Sequence, residues 1–342
     1  MKHLFLTAMA VLALSCNSAQ TGASQKITRV DYANTITSAD LKQHLYTYAA
    51  DDMEGRMTGS KGQRKAVDYL RDFYKKEGIP AAQANGDYFQ HIPASFFSRM
   101  KDSITSENVV AFIKGSEKPD EIIIVSAHLD HVGMDKDGNV FNGADDDGSG
   151  TVAVLEMAQA FQKAVKDGNG PKRSILFLHV TGEEIGLFGS RYYTENPIFP
   201  LENTVVDLNI DMIGRIDPNK KETPNYIYLI GSDKLSQELH DVSEEVNKNY
   251  INLELDYTYN DENDPNRFYY RSDHYNFAKN NIPVIFYFNG VHEDYHKMTD
   301  TPDKIEYDLM AKRTQLVFET AWELANREGR IKADADKIKA AK

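Results

Sequence analysis

The chain has 342 residues, 41% of them hydrophobic, with 39 Lys+Arg against 52 Asp+Glu, a formal charge of -13. Such a length buries a large core in one α/β domain or two smaller ones. The acidic balance argues against a nucleic-acid backbone or an anionic membrane surface as partner, and a single cysteine leaves no intramolecular disulfide.

Residues 1–16 read as an export signal: Met1, Lys2 and His3 precede an apolar run over 4–14, then Ser15 and Cys16. The run is too short to span a bilayer as a helix. Cys16 stands where the lipobox of bacterial lipoproteins carries its lipidated residue, although Ala13 and Leu14 depart from that pattern. Cleavage near Ala19 and Gln20 is the alternative. Either route predicts an exported protein, periplasmic or held at the outer membrane through lipid on Cys16, on either face. Residues 17–37 are small, polar and aperiodic and read as a flexible tether, 38–327 as one folded domain, and 328–342 as a charged C-terminal tail.

Within the domain, Ser38 is placed to cap a helix with Leu41, Leu45, Tyr48 and Ala49 on one face. A second helix carries Ala66, Val67, Leu70, Phe73 and Tyr74 and closes at Gly78, and the Gly-rich stretch MEGRMTGSKG between them is a loop. From about residue 107, the runs NVVAFI, EIIIVSA, SILFLHV, VVDLNI and IPVIFYF alternate with helical periodicity over 149–166, 186–194, 233–249 and 306–327. This predicts an α/β fold: a mixed, mostly parallel sheet covered by helices on both faces.

Five side chains of metal-ligand type lie in the loops around these strands: His128, Asp146, Glu184, Asp211 and His296. Open α/β sheets bind ligands beyond the carboxyl ends of their strands, where these loops converge. One such residue alone reads as a solvated loop group; agreement among separate blocks reverses that reading. Two carboxylates and two imidazoles, with a third carboxylate to share, suit two zinc ions and a water between them. In AHLDHVG, Asp130 is placed to accept from His128 and fix its tautomer, while His131 reads as a partly exposed neighbour. GADDDGSG mimics a calcium-loop spacing through Asp145, Asp147 and Glu156, but the Gly- and Asn-rich stretch before it cannot be an entering helix. In TGEEIGLFGS, one glutamate can bind metal while its neighbour stays free as a general base; by itself the pair reads as acids favoured at a helix N-terminus.

Taken together, AHLDHVG, GADDDGSG, TGEEIGLFGS, NIDMIGR and DYHKMTDTPDKI resemble, in this order, the co-catalytic zinc aminopeptidases, whose relatives include glutamate carboxypeptidases and glutaminyl cyclases. The resemblance covers roughly 38–327 and implies a single zinc-exopeptidase-like domain holding two zinc ions, with cobalt or manganese also suited to the ligands. It implies that Asp146 bridges the ions, that His128 and Asp211 complete one site, and that Glu184 and His296 complete the other. Glu183 becomes the general base, Tyr295 steadies the oxyanion, Asp130 and Asp147 support the ligands, and Arg271 of RSDH holds substrate. The ligand carboxylates and a bridging hydroxide then balance the charge of two divalent ions, and Glu183 adds a negative charge suited to a substrate's α-ammonium.

The reaction implied is hydrolysis of N-terminal residues from peptide substrates, the bridging hydroxide attacking and Glu183 moving its proton. Many secreted relatives insert a protease-associated domain before the first block, but the stretch over 88–121 is too short for one. Selectivity is therefore assigned to the aromatic segment 256–271, with Tyr257 and Tyr259 as pocket walls; packing of a long loop is the competing reading. A glutaminyl cyclase, working with one zinc, and a non-catalytic metal-stabilised binding lipoprotein are the rival functions; the five-ligand set and the spare Glu183 weigh against them.

Overall fold

A computed structural model describes residues 28–97 and 104–340 of the chain. The export signal and lipidation site read at 1–16 lie outside the described residues. Part of the segment expected as a tether is folded: α1 (Arg29–Ala33) buries Tyr32 and Ala33. Tyr32 stacks on Trp322 at 5.5 Å, a contact type worth about 0.5–1.5 kcal/mol beyond the area it buries. Arg29 also reaches Glu319 and Glu323, each at 2.6 Å. For its described part, from residue 28, the tether reading fails because these partners lie nearly 300 residues away, at separations of 290 and 294, where local periodicity carries no signal.

α2 (Ser38–Tyr48) is capped by Thr37, not Ser38, since the Thr37 hydroxyl accepts from the Asp40 N–H at 3.1 Å. α3 (Lys61–Glu77) starts at Ser60 and stops at Gly78, whose φ of 72° provides a left-handed cap. Beyond it follow β1 (Phe89–Ile92), β2 (Ser106–Ile113), β3 (Lys118–His128), α4 (Gly150–Lys166), β4 (Arg173–Val180), α5 (Phe188–Glu195), β5 (Thr204–Ile210) and β6 (Tyr226–Ile230). The chain continues through α6 (Gln237–Val246), β7 (Glu254–Asp256), α7 (His274–Ala278), β8 (Val284–Phe288), α8 (Tyr307–Asn326) and α9 (Ala335–Ala340).

All eight strands join one sheet in the order β1-β2-β4-β3-β5-β8-β6-β7. Its centre, β4-β3-β5-β8, is parallel throughout, whereas β2 on one flank and β6 on the other run antiparallel to their central neighbours. Alternate residues face opposite layers. Val109, Ile123, Val125 and Phe177 pack under α2, α3, α4 and α8, while Val110, Ile124 and Leu178 meet α5 and α7 through Tyr193 and Phe277. The sheet is therefore mixed, mostly parallel and helix-covered on both faces, as its alternating pattern predicts. Strands β1, β6 and β7 were not anticipated.

The expected C-terminal tail is also partly folded. Ile331 is buried, the Asp334 N–H donates to the Leu235 carbonyl at 2.7 Å, and α9 follows. No helix among the described residues is long and apolar enough to cross a membrane.

Candidate metal centre

The chain passes from β3 to β4 on one side and then back past β3 to β5, so the sheet order reverses at β3. A crevice opens at such a switch point, beyond the strands' carboxyl ends. His128 is the last residue of β3, Asp211 follows β5 directly, Glu184 lies in the turn after β4, and His296 lies in the loop after β8. All five predicted ligands meet there. His128 Nε2 stands 3.2 Å from Asp146 Oδ1 and 3.6 Å from Asp211 Oδ1. His296 Nε2 stands 3.0 Å from both Asp146 Oδ2 and Glu184 Oε2. Asp146 thus presents one oxygen to each group.

Adjacent aspartates are told apart by what already holds them. Asp145 Oδ1 accepts from the Gly214 N–H at 2.6 Å, and its Oδ2 faces His292 Nε2 at 3.1 Å. Asp147 accepts from the backbone of His128 at 3.1 Å, Gly150 at 2.9 Å and Met212 at 3.1 Å. Asp147 therefore tethers β3, α4 and the turn after β5 to one another. Asp146 Oδ2, by contrast, is buried with no hydrogen bond, and so is Glu184 Oε1. Unpartnered acceptors buried beside imidazoles are costly unless a cation satisfies them, so the residues present fit divalent ions. The calcium-loop alternative fails because the Asp145 and Asp147 oxygens it would use are already taken by Gly214, His292, His128, Gly150 and Met212.

Supporting contacts differ from expectation at Asp130. The His128 Nδ1 partner is the Asp130 backbone carbonyl at 3.0 Å, with the carboxylate farther off at 3.9 Å. The Asp130 carboxylate instead accepts from Thr58 Oγ1 at 2.7 Å and from the Glu183 N–H at 3.2 Å. It orients the turn that presents the glutamate pair. Asp211 is held by a residue that sequence reasoning missed: Ser272 donates to its Oδ2 at 2.7 Å and is itself held by Asn209 at 2.9 Å. Ser126 continues the chain, 3.0 Å from Asn209 Oδ1 and 2.7 Å from Asp207 Oδ1. Burial pushes Asp207 up to about 8, which keeps this end of the relay neutral. Ser272 adjoins Arg271 in RSDH, so the motif held a signal.

The loop after β8 is clamped from beneath. Asp300 accepts from the Asp145 and Asp146 N–H groups at 3.0 and 3.2 Å, and Arg215 Nη2 meets Asp294 at 2.9 Å. Lys304 takes the other Asp294 oxygen at 2.8 Å. On this clamp Tyr295 stacks against His296, centroids 3.9 Å apart, and His296 adopts φ 55°, an uncommon conformation for such a residue.

Glu183, like Asp147, is a carboxyl strongly perturbed by its surroundings. Burial raises Glu183 well above the usual carboxyl range; His128 opposes this, and Asp211, Asp273 and Glu184 add to it. On His296, burial opposes the charge, but Asp146 and Glu184 outweigh it and push the group up to about 10. The cluster as a whole carries negative charge in need of cations.

A narrow cleft of about 40 Å³ leads from Asp146, Glu183, Asp211 and Tyr295 to apolar walls formed by Met212, Phe268, Phe286 and Phe288. Phe268, Arg271, Val291 and Tyr295 also border a wider cavity of about 420 Å³ outside it. Tyr259 lines that outer cavity. Tyr257 does not: its hydroxyl meets Glu244 at 2.7 Å and its ring packs on His240, so the wall expected there is supplied by Phe268. Arg271 lies over Phe268 at 4.9 Å and forms no ion pair among the described residues.

His131 also departs from its expected place. It is 1% exposed, with Nδ1 2.8 Å from Glu184 Oε1, so it belongs to the cluster.

Comparison with known proteins agrees with this architecture. The chain is 29% identical to leupeptin-inactivating enzyme 1 of Streptomyces exfoliatus over 77% of its own length and 51% of that enzyme's. It is 27% identical to a probable leucine aminopeptidase of Arthroderma benhamiae, covering 85% of this chain and 78% of that one. The chain spans about half or less of the length of several further curated relatives, for example 52% of a probable zinc metalloprotease of Pyricularia oryzae. Its fold matches the LapA aminopeptidase of Legionella pneumophila with a TM-score of 0.67 at 20% identity, over 87% of this chain and 75% of that one. The model of peptidase family M28 matches residues 108–321, which run from β2 into α8 and include every candidate ligand, and the chain belongs to that family.

Proposed function

We propose that this chain is a two-zinc aminopeptidase that releases residues from the free N-termini of peptides. His128 and Asp211 would hold one ion, Glu184 and His296 the other, and Asp146 both. The observation that carries the reading is Glu183, a carboxyl that neither metal group requires, facing the same cleft as Asp146, Asp211 and Tyr295. The name of the Arthroderma relative, a probable leucine aminopeptidase, is consistent with it.

When bound, the ions supply an acidified water and polarise the scissile carbonyl. Glu183 accepts the water's proton and passes it to the leaving amine, a role for which burial raises its proton affinity. Burial, with the carboxylates of Asp146, Asp211 and Glu184 nearby, keeps the Tyr295 hydroxyl protonated. It is thus ready to donate to a developing oxyanion, a contact worth about 3 kcal/mol. Met212, Phe268, Phe286 and Phe288 form an apolar end to the cleft, which favours peptides with an apolar first residue. Arg271, which borders the outer cavity and has no ion pair among the described residues, suits a substrate carbonyl or carboxylate.

Two bound zinc ions per chain and cleavage of Leu- or Phe-initiated peptides only when the α-amine is free are the expected results. Equal cleavage of N-acetylated peptides would sink the aminopeptidase reading, and pyroglutamate formation without hydrolysis would indicate a cyclase. Export, with lipid on Cys16, rests on the apolar run before that residue. Loss of lipid labelling in Cys16→Ser would support it, and unchanged membrane association would refute it.

A further inference from the structure

The two groups around Asp146 are unequal in what surrounds them. Beside Glu184 and His296 lies a third imidazole, His131, whose Nδ1 and Nε2 are both buried without a hydrogen-bond partner. Its Nδ1 approaches Glu184 Oε1 to 2.8 Å and Asp146 Oδ2 to 3.7 Å, and these two oxygens are also unpartnered. Three buried polar atoms therefore face one another at short range without hydrogen-bond angles. Ligands of a common ion are arranged in that way, because each aims its lone pair at the ion rather than at its neighbour.

The ring is fixed by packing. A side chain at Gly143 would meet His131 Cγ and Cδ2 at 2.5 Å, so only glycine permits this approach. Gly143 is held in turn by Arg56, whose buried guanidinium donates to the Asn142 and Gly143 carbonyls at 2.7 and 2.8 Å. On another side the His296 ring stands at 71° to it, centroids 5.7 Å apart. The fold thus holds an imidazole rigidly, with no hydrogen-bond partner among the described residues, against the Glu184 side of the centre.

We infer that His131 Nδ1 is a further protein ligand of the ion held by Asp146, Glu184 and His296, giving that ion two imidazoles where its partner has one. The inference rests on the two-metal reading. It makes the Glu184 side the tighter of the two sites, since neutral imidazole adds a donor.

A crystal structure of the zinc-loaded protein, with the ions located by anomalous scattering, should place Nδ1 about 2.0–2.1 Å from one ion. Two ions with Nδ1 beyond about 3 Å from both would overturn the inference alone, whereas a single ion between His128 and Asp211 would overturn the two-metal reading with it. In solution, His131→Phe, which keeps the ring volume, should weaken one of the two zinc affinities more than about 100-fold. That exceeds the ~10- to 100-fold cost of losing an outer partner. The smaller His131→Asn provides the same measurement if the Phe variant fails to fold, and zinc affinities unchanged in either folded variant would refute the assignment.

Discussion

The two halves of the metal centre are built by different means. His128 and Asp211 sit at or directly beyond the ends of central parallel strands and are 1% and 8% exposed. The backbone ladder holds them, together with the bond that the His128 N–H donates to Asp147 and the one that Ser272 donates to Asp211. Glu184 and His296 come from longer turns, the His296 side chain is 38% exposed, and this half depends on a clamp of buried aspartates, Arg215 and Lys304. A sheet can fix a ligand only where its strands end. Wherever the ligand must reach across the crevice toward substrate, a loop carries it and buried polar contacts replace the ladder. The base and the oxyanion donor, Glu183 and Tyr295, adjoin Glu184 and His296 in sequence, so the moving proton and the substrate carbonyl are handled on the loop side.

The largest expected effect tests that division of labour. Glu183→Gln should lower kcat by about 10²–10⁴-fold while both ions stay bound, as judged by metal analysis of the purified variant. Metal loss in parallel with activity would instead make Glu183 part of the binding side.

A smaller effect should separate the halves. Ser272→Ala removes the donor to Asp211 and should weaken zinc binding at the strand-end site about 10- to 100-fold, leaving the Glu184 side unchanged in a two-site titration. An equal loss at both sites would mean that the halves are not independent.

The smallest effect concerns the scaffold of the strand-end half. His179 on β4 pairs in register with Ala127, next to His128 on β3, and its Nε2 lies 2.7 Å from the Tyr74 hydroxyl. Burial lowers it to about 3, whereas an unfolded histidine titrates near 6.5. Between those values the unfolded chain binds the additional proton, so the His179 contribution is complete above about pH 6.5 and declines as the pH falls. From pH 7 to 5 this amounts to about 2 kcal/mol, and denaturant unfolding of His179→Gln should show an acid slope smaller by that amount. An unchanged slope would mean that His179 is not held neutral.

Much of this fold was legible in the sequence because strand and helix periodicities are local. EIIIVSA and SILFLHV carry continuous apolar stretches because their strands are covered on both faces, and α8 appeared within one residue of its observed ends. β1, β6 and β7 escaped notice because they are short, with four, five and three residues at or near the sheet's edges. The helix within the expected tether and the folded part of the expected tail were missed for another reason: their stability comes from docking onto α8 and the Leu235 region rather than from their own patterning.

The candidate site divides in the same way. Residue type and position after a strand are properties of the sequence, and they sufficed to bring out His128, Asp146, Glu184, Asp211 and His296 as possible ligands, with Glu183 as a spare base. Which carboxylate is free to bind an ion depends on which oxygens other parts of the chain already occupy. Asp147 is occupied by the Met212 N–H from 65 residues away, and Asp145 by His292 from 147 residues away. The same dependence buries His131, moves the pocket wall from Tyr257 to Phe268, and gives the Asp130 carboxylate to Thr58 rather than to His128. Hydrogen-bond saturation and burial are properties of neighbours in space, so only the tertiary structure could decide them.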